Sequence, residues 1–451
     1  MKTAEEPPNE KKKEVISVEI KAVKFGGTSL CDAAQMRKAA SIVRAEPARR
    51  AVVVSAPGKR TGTDEKLTDL LYRAYDTTDA AIFSATFASL TARIDEIRDA
   101  LGAPLDFSPD YEAMRQAYAA RDGRDFFVSR GEYFSARLMA CLLGFPMLDA
   151  AETIFFRADG TLDADRTRAV LRDRLSALGR AVIPGFYGAM PDGTIRTFSR
   201  GGSDITGAIV ADAAGASLYE NFTDVSGFLL ADPKMVDKSE IIDIISYKEL
   251  RRLSFMGAAV LHEDAVLPAK AANIPICIKN TNAPQDAGTL IVPKKERTGV
   301  VSGIAGRKGF SKLTVCRDRI GGDAAALRAL CAVFERRSIP IYGMPRSIDA
   351  VAFILRREDV GKDADGLLDE IRRIAEPESV RFYDGMALFC VIGEEMPPLT
   401  LSMALRAVAA LGEMPLLLDG GADDLGWTFG VREEQYERVI RAVYDAVARF
   451  R

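Results

Sequence analysis

The sequence predicts an α/β protein, with a largely parallel sheet layered between helices, followed by two smaller α+β modules. Three observations lead there. From about residue 20 to 295, short β-branched or apolar runs alternate with stretches of helical periodicity. Beyond that point the rhythm changes to shorter units running strand, helix, strand, strand, helix. The two such units also resemble one another, about 75 residues apart, a length compatible with one small α/β module.

In chain order, the first 18 residues are polar, with Pro7-Pro8 and Lys11-Lys12-Lys13, and are expected to be a disordered extension. A strand is expected at 20–25, a helix at 32–45, and a buried parallel strand in Ala51-Val52-Val53-Val54-Ser55, whose run of β-branched residues is unbroken. Residues 64–143 carry helical periodicity broken at about 102–109, a helical excursion from the sheet. Strands follow at 181–186, 194–198, 217–222, 226–230, 274–278 and 288–292, with helices at 163–178, 203–214, 246–256 and 262–272. Residues 19–295 therefore form one large domain, and Pro293-Lys294-Lys295-Glu296-Arg297 is the expected linker. Modules at 300–385 and 386–451 come next. Leu313-Thr314-Val315-Cys316 and a helix containing Ala326-Leu327-Arg328-Ala329-Leu330 in the first answer to Leu388-Phe389-Cys390-Val391 and Ala404-Leu405-Arg406-Ala407-Val408 in the second.

Bulk properties narrow the function classes. A chain of 451 residues exceeds one ordinary core. Its net charge of -3, with 28% charged and 48% hydrophobic residues, leaves no basic footprint for nucleic acid. No apolar run approaches a membrane span, and residues 1–19 have neither a signal core nor the composition of a transit peptide, so the cytoplasm is the expected compartment. Six cysteines, at 31, 141, 277, 316, 331 and 390, include no CxxC pair and are read as reduced core residues. The single histidine, His262, opens His-Glu-Asp-Ala-Val and lacks the second histidine of a zinc-protease helix. Catalysis must then rest on Lys, Arg, Asp, Glu and backbone amides, and no metal site of the protein's own is expected.

Four segments can carry such chemistry. Lys24-Phe25-Gly26-Gly27-Thr28-Ser29 ends a strand in two glycines. The backbone can pass close to a bound group there, Thr28 or Ser29 can cap the next helix, and free amides attract an anion. A plain strand-to-helix turn with a solvated lysine fits the same letters. It is not a P-loop, since no GxxxxGK[ST] occurs and Gly58-Lys59 has Val53 where the first glycine belongs. Arg200-Gly201-Gly202-Ser203-Asp204 repeats the logic, with Arg200 and Ser203 suited to a carboxylate or phosphate. Asp204 would repel a phosphate, so it either orients a catalytic lysine or favours the helix dipole. Thr223-Asp224-Val225-Ser226-Gly227-Phe228, followed by Asp232-Pro233-Lys234, suits a nucleotide or simply a turn. In Ser129-Arg130-Gly131-Glu132, ahead of a helix from Tyr133 to Leu143, Glu132 either binds an amino group or caps.

In this order, together with Val260-Leu261-His262, these motifs resemble those of aspartate kinases of the amino acid kinase family, from Lys21 to the C-terminus. The resemblance implies an amino acid kinase-like αβα sandwich followed by two ferredoxin-like ACT modules. It implies transfer of the γ-phosphoryl of ATP to the side-chain carboxylate of L-aspartate, giving 4-phospho-L-aspartate. An ionised carboxylate needs no general base, so positioning and charge neutralisation suffice. By the resemblance, Lys24 and Asp204 are catalytic, and Ser55, Thr68, Glu132, Arg200 and Ser203 bind substrate. Gly26, Gly27, Thr28, Thr223, Asp224 and Lys234 bind ATP, with Mg2+ arriving on the phosphates. An end-product amino acid, lysine before threonine, is the expected effector in the first ACT module at Asp323, Met344, Ser347 and Asp349, though such a loop can equally serve to pair subunits. A homodimer or homotetramer through the ACT modules is expected.

One position departs from the family pattern. Where many members carry Gly-Ala-Lys-Val-Leu-His-Pro, this chain has Gly257-Ala258-Ala259-Val260-Leu261-His262-Glu263, so a phosphate-binding lysine is replaced by Ala259. Lys234, or else Lys270, is the candidate substitute. Two alternatives stay open on this evidence: an amino-acid-sensing protein with a decayed kinase domain, and a related kinase acting on another acid such as glutamate.

Overall fold

The computed structural model describes residues 19–199, 201–257, 261, 263–296, 298–361, 363–420 and 423–448. The chain divides into two compact units, one running to Phe198 and resuming at Thr206–Glu220, the other comprising Ser199–Ile205 and everything from Asn221.

In the first unit, β1 (Lys21–Phe25), β2 (Arg49–Val54) and β3 (Ala181–Pro184) are parallel neighbours in the order β3-β2-β1. Their last four residues are buried without alternation, as strands covered on both faces must be. β4 (Tyr187–Ala189) and β5 (Ile195–Thr197) form a separate antiparallel pair. β6 (Leu218–Thr223) lies on the other side of β1 and carries the chain across the division between units.

The helical excursion comprises Leu67–Asp76, Ala80–Leu101, Ser108–Ala120 and Arg124–Leu143. Aromatic rings hold these helices together, with Phe83 stacked on Tyr118 at 3.5 Å and Phe127 beside Tyr75, Phe83 and Phe87. The last helix is buried on nearly every side, including Ser129, Arg130, Gly131 and Glu132. Polar residues in that position are conspicuous, because burying them costs free energy unless something pairs with them.

In the second unit, β7 (Ile244–Ser246), β8 (Ile276–Asn280) and β9 (Thr289–Val292) continue from β6 in the order β6-β8-β9-β7, with β8 antiparallel to β9. The strand expected at 226–230 is not formed. Its backbone is satisfied instead by the Thr289 hydroxyl, which accepts from Phe228 N–H at 2.8 Å, and by a short antiparallel contact in which Leu230 N–H donates to Glu240 O and Ile242 N–H to Phe228 O about one bridge from Leu229 to Ile241.

β10 (Gly303–Cys316), β11 (Ala350–Arg356), β12 (Ser379–Ile392), β13 (Leu417–Asp419) and β14 (Gly426–Arg432) form one antiparallel sheet in the order β11-β10-β12-β14-β13. The two repeats thus share a sheet, and the expected boundary at 385/386 falls inside β12. Residues 303–307 pair with 388–392, while 310–316 pair with 379–386, and the register shifts at Phe310. Leu313, Val315, Val351, Phe353 and Leu355 of the first half close a core with Leu330, Val333 and Phe334 of the helix Ala324–Arg336 and with Leu367 and Ile371 of Ala364–Ala375. The helices Pro398–Ala410 and Tyr436–Val447 pack on each other in the second half. Among the described residues no helix is long and apolar enough to cross a membrane.

Candidate active site

In the first unit the candidate residues gather at the C-terminal ends of β1 and β2, where parallel strands place their ligand-facing loops. Lys24 is the penultimate residue of β1 and is buried. A 3-10 turn, Gly27–Leu30, follows it. Neither Thr28 nor Ser29 caps the next helix, Ala33–Ala45; that task falls to Asp32, whose carboxylate accepts from Gln35 N–H at 2.8 Å. Thr28 is thereby left half-buried in the turn.

The loop after β2 lies backbone to backbone on this turn. Gly58 N–H donates to Gly27 O at 2.7 Å, and a Cβ on Gly27 would stand 2.9 Å from Ala56 O. Half-buried Ser55 begins that loop, its N–H donating to Phe25 O at 3.2 Å. Leu67 N–H donates to Pro57 O, which brings the start of the helix bearing Thr68 to the same loop. A buried cation missed by sequence reasoning fixes the segment beyond: Arg93 donates to Gly58 O and to Glu65 O and lies 3.4 Å from Asp64. The signal was present, since Arg93 interrupts the apolar stripe of Leu90, Ile94 and Ile97.

Glu132 is the centre of this half. The expected helix start beside it is not found, because the helix begins at Arg124 and Glu132 is buried in its middle. The helix can approach the β2 loop only because residue 131 is glycine; a Cβ there would lie 2.7 Å from Ala56 Cβ and 3.1 Å from Leu71 Cδ1. Glu132 is 5% exposed, and its Oε2 has no hydrogen-bond partner among the described residues. Burial pushes its carboxyl up to about 8, against the lowering pull of the Ala56 N–H, its own N–H and the charges of Arg130 and Lys24. A carboxylate so placed is suited to receive a cationic ligand group.

In the second unit, Gly201 has a left-handed φ of 76° and opens the helix Gly202–Ala213, whose first turn holds buried Ser203 and half-buried Asp204. Asp204 Oδ1 accepts from Asn221 Nδ2 at 2.8 Å. Thr223, two residues further along β6, donates its hydroxyl to Asp224 at 3.1 Å, while Thr223 O accepts from Thr281 N–H. The loop beyond is braced by Ser226, which donates to Asp286 at 2.5 Å and accepts from Asn280 at 3.0 Å. Lys234 is exposed, its N–H donating to Asp232. Arg200, Ala259 and His262 lie outside the described residues.

Of the expected effector residues, Asp323 and Asp349 are already engaged within the chain. Asp323 caps the helix Ala324–Arg336 and pairs with Arg317 at 2.5 Å, so its carboxyl is held below the usual range by Ala326 N–H and by Arg317. Asp349 accepts from Arg319 N–H, Ser347 O crowds Gly321, and Met344 is exposed.

A glycine turn at the end of the parallel strand β1, beside Lys24, and a second that opens the helix Gly202–Ala213, beside Asp204, are features of an α/β enzyme that handles anions without a P-loop. The model described as the amino acid kinase family matches residues 19–280, and the chain belongs to that family, among its aspartokinases. It is 32% identical to aspartokinase 3 of Bacillus subtilis, covering 94% of this chain and 98% of that one. It is 29% identical to the lysine-sensitive aspartokinase 3 of Escherichia coli, with 84% and 88% covered. The crystal structure of Clostridium acetobutylicum aspartate kinase superposes with a TM-score of 0.88 at 34% identity, over 95% of this chain and 100% of that one.

Proposed function

We infer that this protein is an aspartate kinase, transferring the γ-phosphoryl of ATP to the side-chain carboxylate of L-aspartate, under feedback from an end-product amino acid. The observation that carries the reading is near full-length similarity to aspartokinases at 32% identity, with the glycine loops in place. Glu132 supports it, since a buried carboxylate with a free oxygen is matched by the α-ammonium of an amino acid.

In this reading Glu132 holds the α-ammonium, and Arg200 and Ser203, with Ser55 and Thr68, grip the substrate carboxylates. Lys24 stabilises the transferring phosphoryl, and Asp204 organises the lysine. Gly26, Gly27, Thr28, Thr223, Asp224 and Lys234 serve ATP. Mg2+ would arrive with the nucleotide, where Thr223 and Asp224 offer the hard oxygen donors that would help hold it, and it would supply neutralisation of the phosphate charge. The two halves of residues 300–451, which share one sheet through β10 and β12, act as paired ACT modules that join subunits. Lysine is the favoured effector, as the lysine-sensitive Escherichia coli relative suggests, and the cytoplasm the expected compartment.

The test is a hydroxylamine trap for the acyl phosphate with Mg-ATP and, in turn, L-aspartate, L-glutamate and N-acetylglutamate. Aspartyl hydroxamate is expected with the first alone. Its absence, with nucleotide binding also lost in calorimetry, would favour the amino-acid sensor that Ala259 suggests.

A further inference from the structure

β6 carries two buried polar residues in succession, Glu220 and Asn221, between the buried rings of Tyr219 and Phe222. Glu220 is committed to Arg49, which donates to its two oxygens at 2.6 and 3.0 Å. Asn221 faces the opposite way, as neighbours on a strand do, and is committed to Asp204. The helix bearing Asp204 comes unusually close to this face. A Cβ on Gly207 would lie 2.2 Å from the hydroxyl oxygen of Tyr219, so only glycine admits the observed approach. Tyr219 and Asn221 share one face of the strand, Gly207 and Asp204 one face of the helix. The first pair sets the separation at which the second pair's hydrogen bond forms.

The residue type at 221 has a chemical logic. A lysine or arginine would cancel the charge of Asp204, and an aspartate would compete with it for a proton. A neutral amide donor fixes the carboxylate and leaves its charge intact.

We propose that Asn221 is a positioning residue of the phosphoryl-transfer step, its amide holding the Asp204 carboxylate in the orientation that the reaction uses. This rests on the aspartate kinase reading and on the role of Asp204 within it. In this proposal Asn221 acts through Asp204, so its loss is expected to lower turnover and to leave binding unchanged.

The test uses the full-length protein with Asn221→Asp, which keeps the shape and removes the donor, and Asn221→Ala. Each is expected to lower kcat by about 30- to 100-fold, the scale of a small misplacement in a site, with KM for aspartate and ATP within about threefold of the parent. The exchange Asn221→Asp with Asp204→Asn should regain the parent's melting temperature, because donor and acceptor are paired again, while kcat stays low because the charge has moved to the strand. If Asn221→Asp does not fold, Asn221→Ser retains a donor and should exceed Asn221→Ala in kcat. A folded variant without a donor that keeps kcat within twofold of the parent, or one that changes KM alone, overturns the proposal. Absence of aspartyl hydroxamate from the parent would instead remove the functional reading itself.

Discussion

Two of the buried glutamates, Glu132 in the first compact unit and Glu249 in the second, are treated in opposite ways. Glu249, in the second unit, is 0% exposed and fully engaged. One carboxylate oxygen accepts from Lys295 Nζ at 2.8 Å, Ser302 Oγ at 2.7 Å and Glu394 N–H at 3.0 Å, and the other accepts from Ser246 N–H at 2.8 Å in a capping box. Glu132, in the first unit, is almost as buried but has an oxygen with no partner, and burial pushes its carboxyl up to about 8. A buried charge is tolerated when hydrogen bonds compensate it and is otherwise costly. Glu249 is therefore a structural joint, tying the start of the helix Tyr247–Phe255 to Lys295, Ser302 and the end of β12. Glu132 keeps an oxygen free of such compensation, which is why the proposed function gives it the substrate's α-ammonium.

The sharpest way to break this comparison is to disturb the satisfied glutamate. Glu249→Gln would leave Lys295 buried without its counter-ion, a change that costs about 3–5 kcal/mol. A large fall in melting temperature is expected, while folded protein below the transition retains its kcat. Replacing both partners together, Glu249→Leu with Lys295→Met, should recover much of the loss, since paired apolar replacement of a buried ion pair is often neutral. A variant of Glu249 that melts with the parent would remove the structural reading of the network.

Glu132→Gln should behave in the reverse sense, with stability unchanged or raised and kcat/KM for aspartate reduced about 100-fold, roughly 2.7 kcal/mol at 1.36 kcal/mol per tenfold. KM for ATP should hold. The raised carboxyl also fixes a pH dependence. Between the ordinary carboxylate range and about 8, the folded protein keeps a proton that the unfolded chain has released. Stability from this group is thus full at low pH and declines as pH rises through that window. Aspartate binding needs the ionised form, so kcat/KM should climb toward pH 8. In kcat the limb should move to lower pH, because bound ammonium favours the charged carboxyl. Glu132→Gln should flatten both dependences, and a parent profile level from pH 5 to 8 would contradict the assignment.

The same contrast marks what the sequence could reveal. Glu132 was legible as a candidate because its neighbours form a motif, yet its place was misread. Its helix is buried nearly all round and lacks the amphipathic stripe that would have shown it beginning at Arg124. The Glu249 network was not legible, because its members are up to 148 residues apart and its charged members look like surface charges. Lys295 was read as part of a linker and is instead 5% exposed and ion-paired. The glycine loops were visible because backbone geometry demands glycine locally. Asn221 was hidden inside a run read as strand, where only the facing helix reveals its purpose. The 226–230 run was apolar enough to suggest a strand, but its backbone meets only a single bridge to Ile241, hydrogen bonds with Glu240 and Ile242, and the Thr289 hydroxyl.

The smallest expected effect concerns how Glu132 is delivered to its place. Gly131→Ala would set a methyl 2.7 Å from Ala56 Cβ and 3.1 Å from Leu71, and the first of these contacts is too close for any real structure. The helix must then retreat from the β2 loop, at about 1–3 kcal/mol for overpacking. That retreat weakens the bond from Ala56 N–H, one of the groups that favour the ionised form of Glu132. KM for aspartate should therefore rise several-fold, and the climb of kcat/KM with pH should shift to higher pH, while Glu132 itself is untouched. A destabilised Gly131→Ala protein whose pH profile matches the parent would show that the close approach serves packing alone. A shifted profile would show that the fold uses one missing Cβ to set the ionisation of Glu132, the group proposed to hold the substrate.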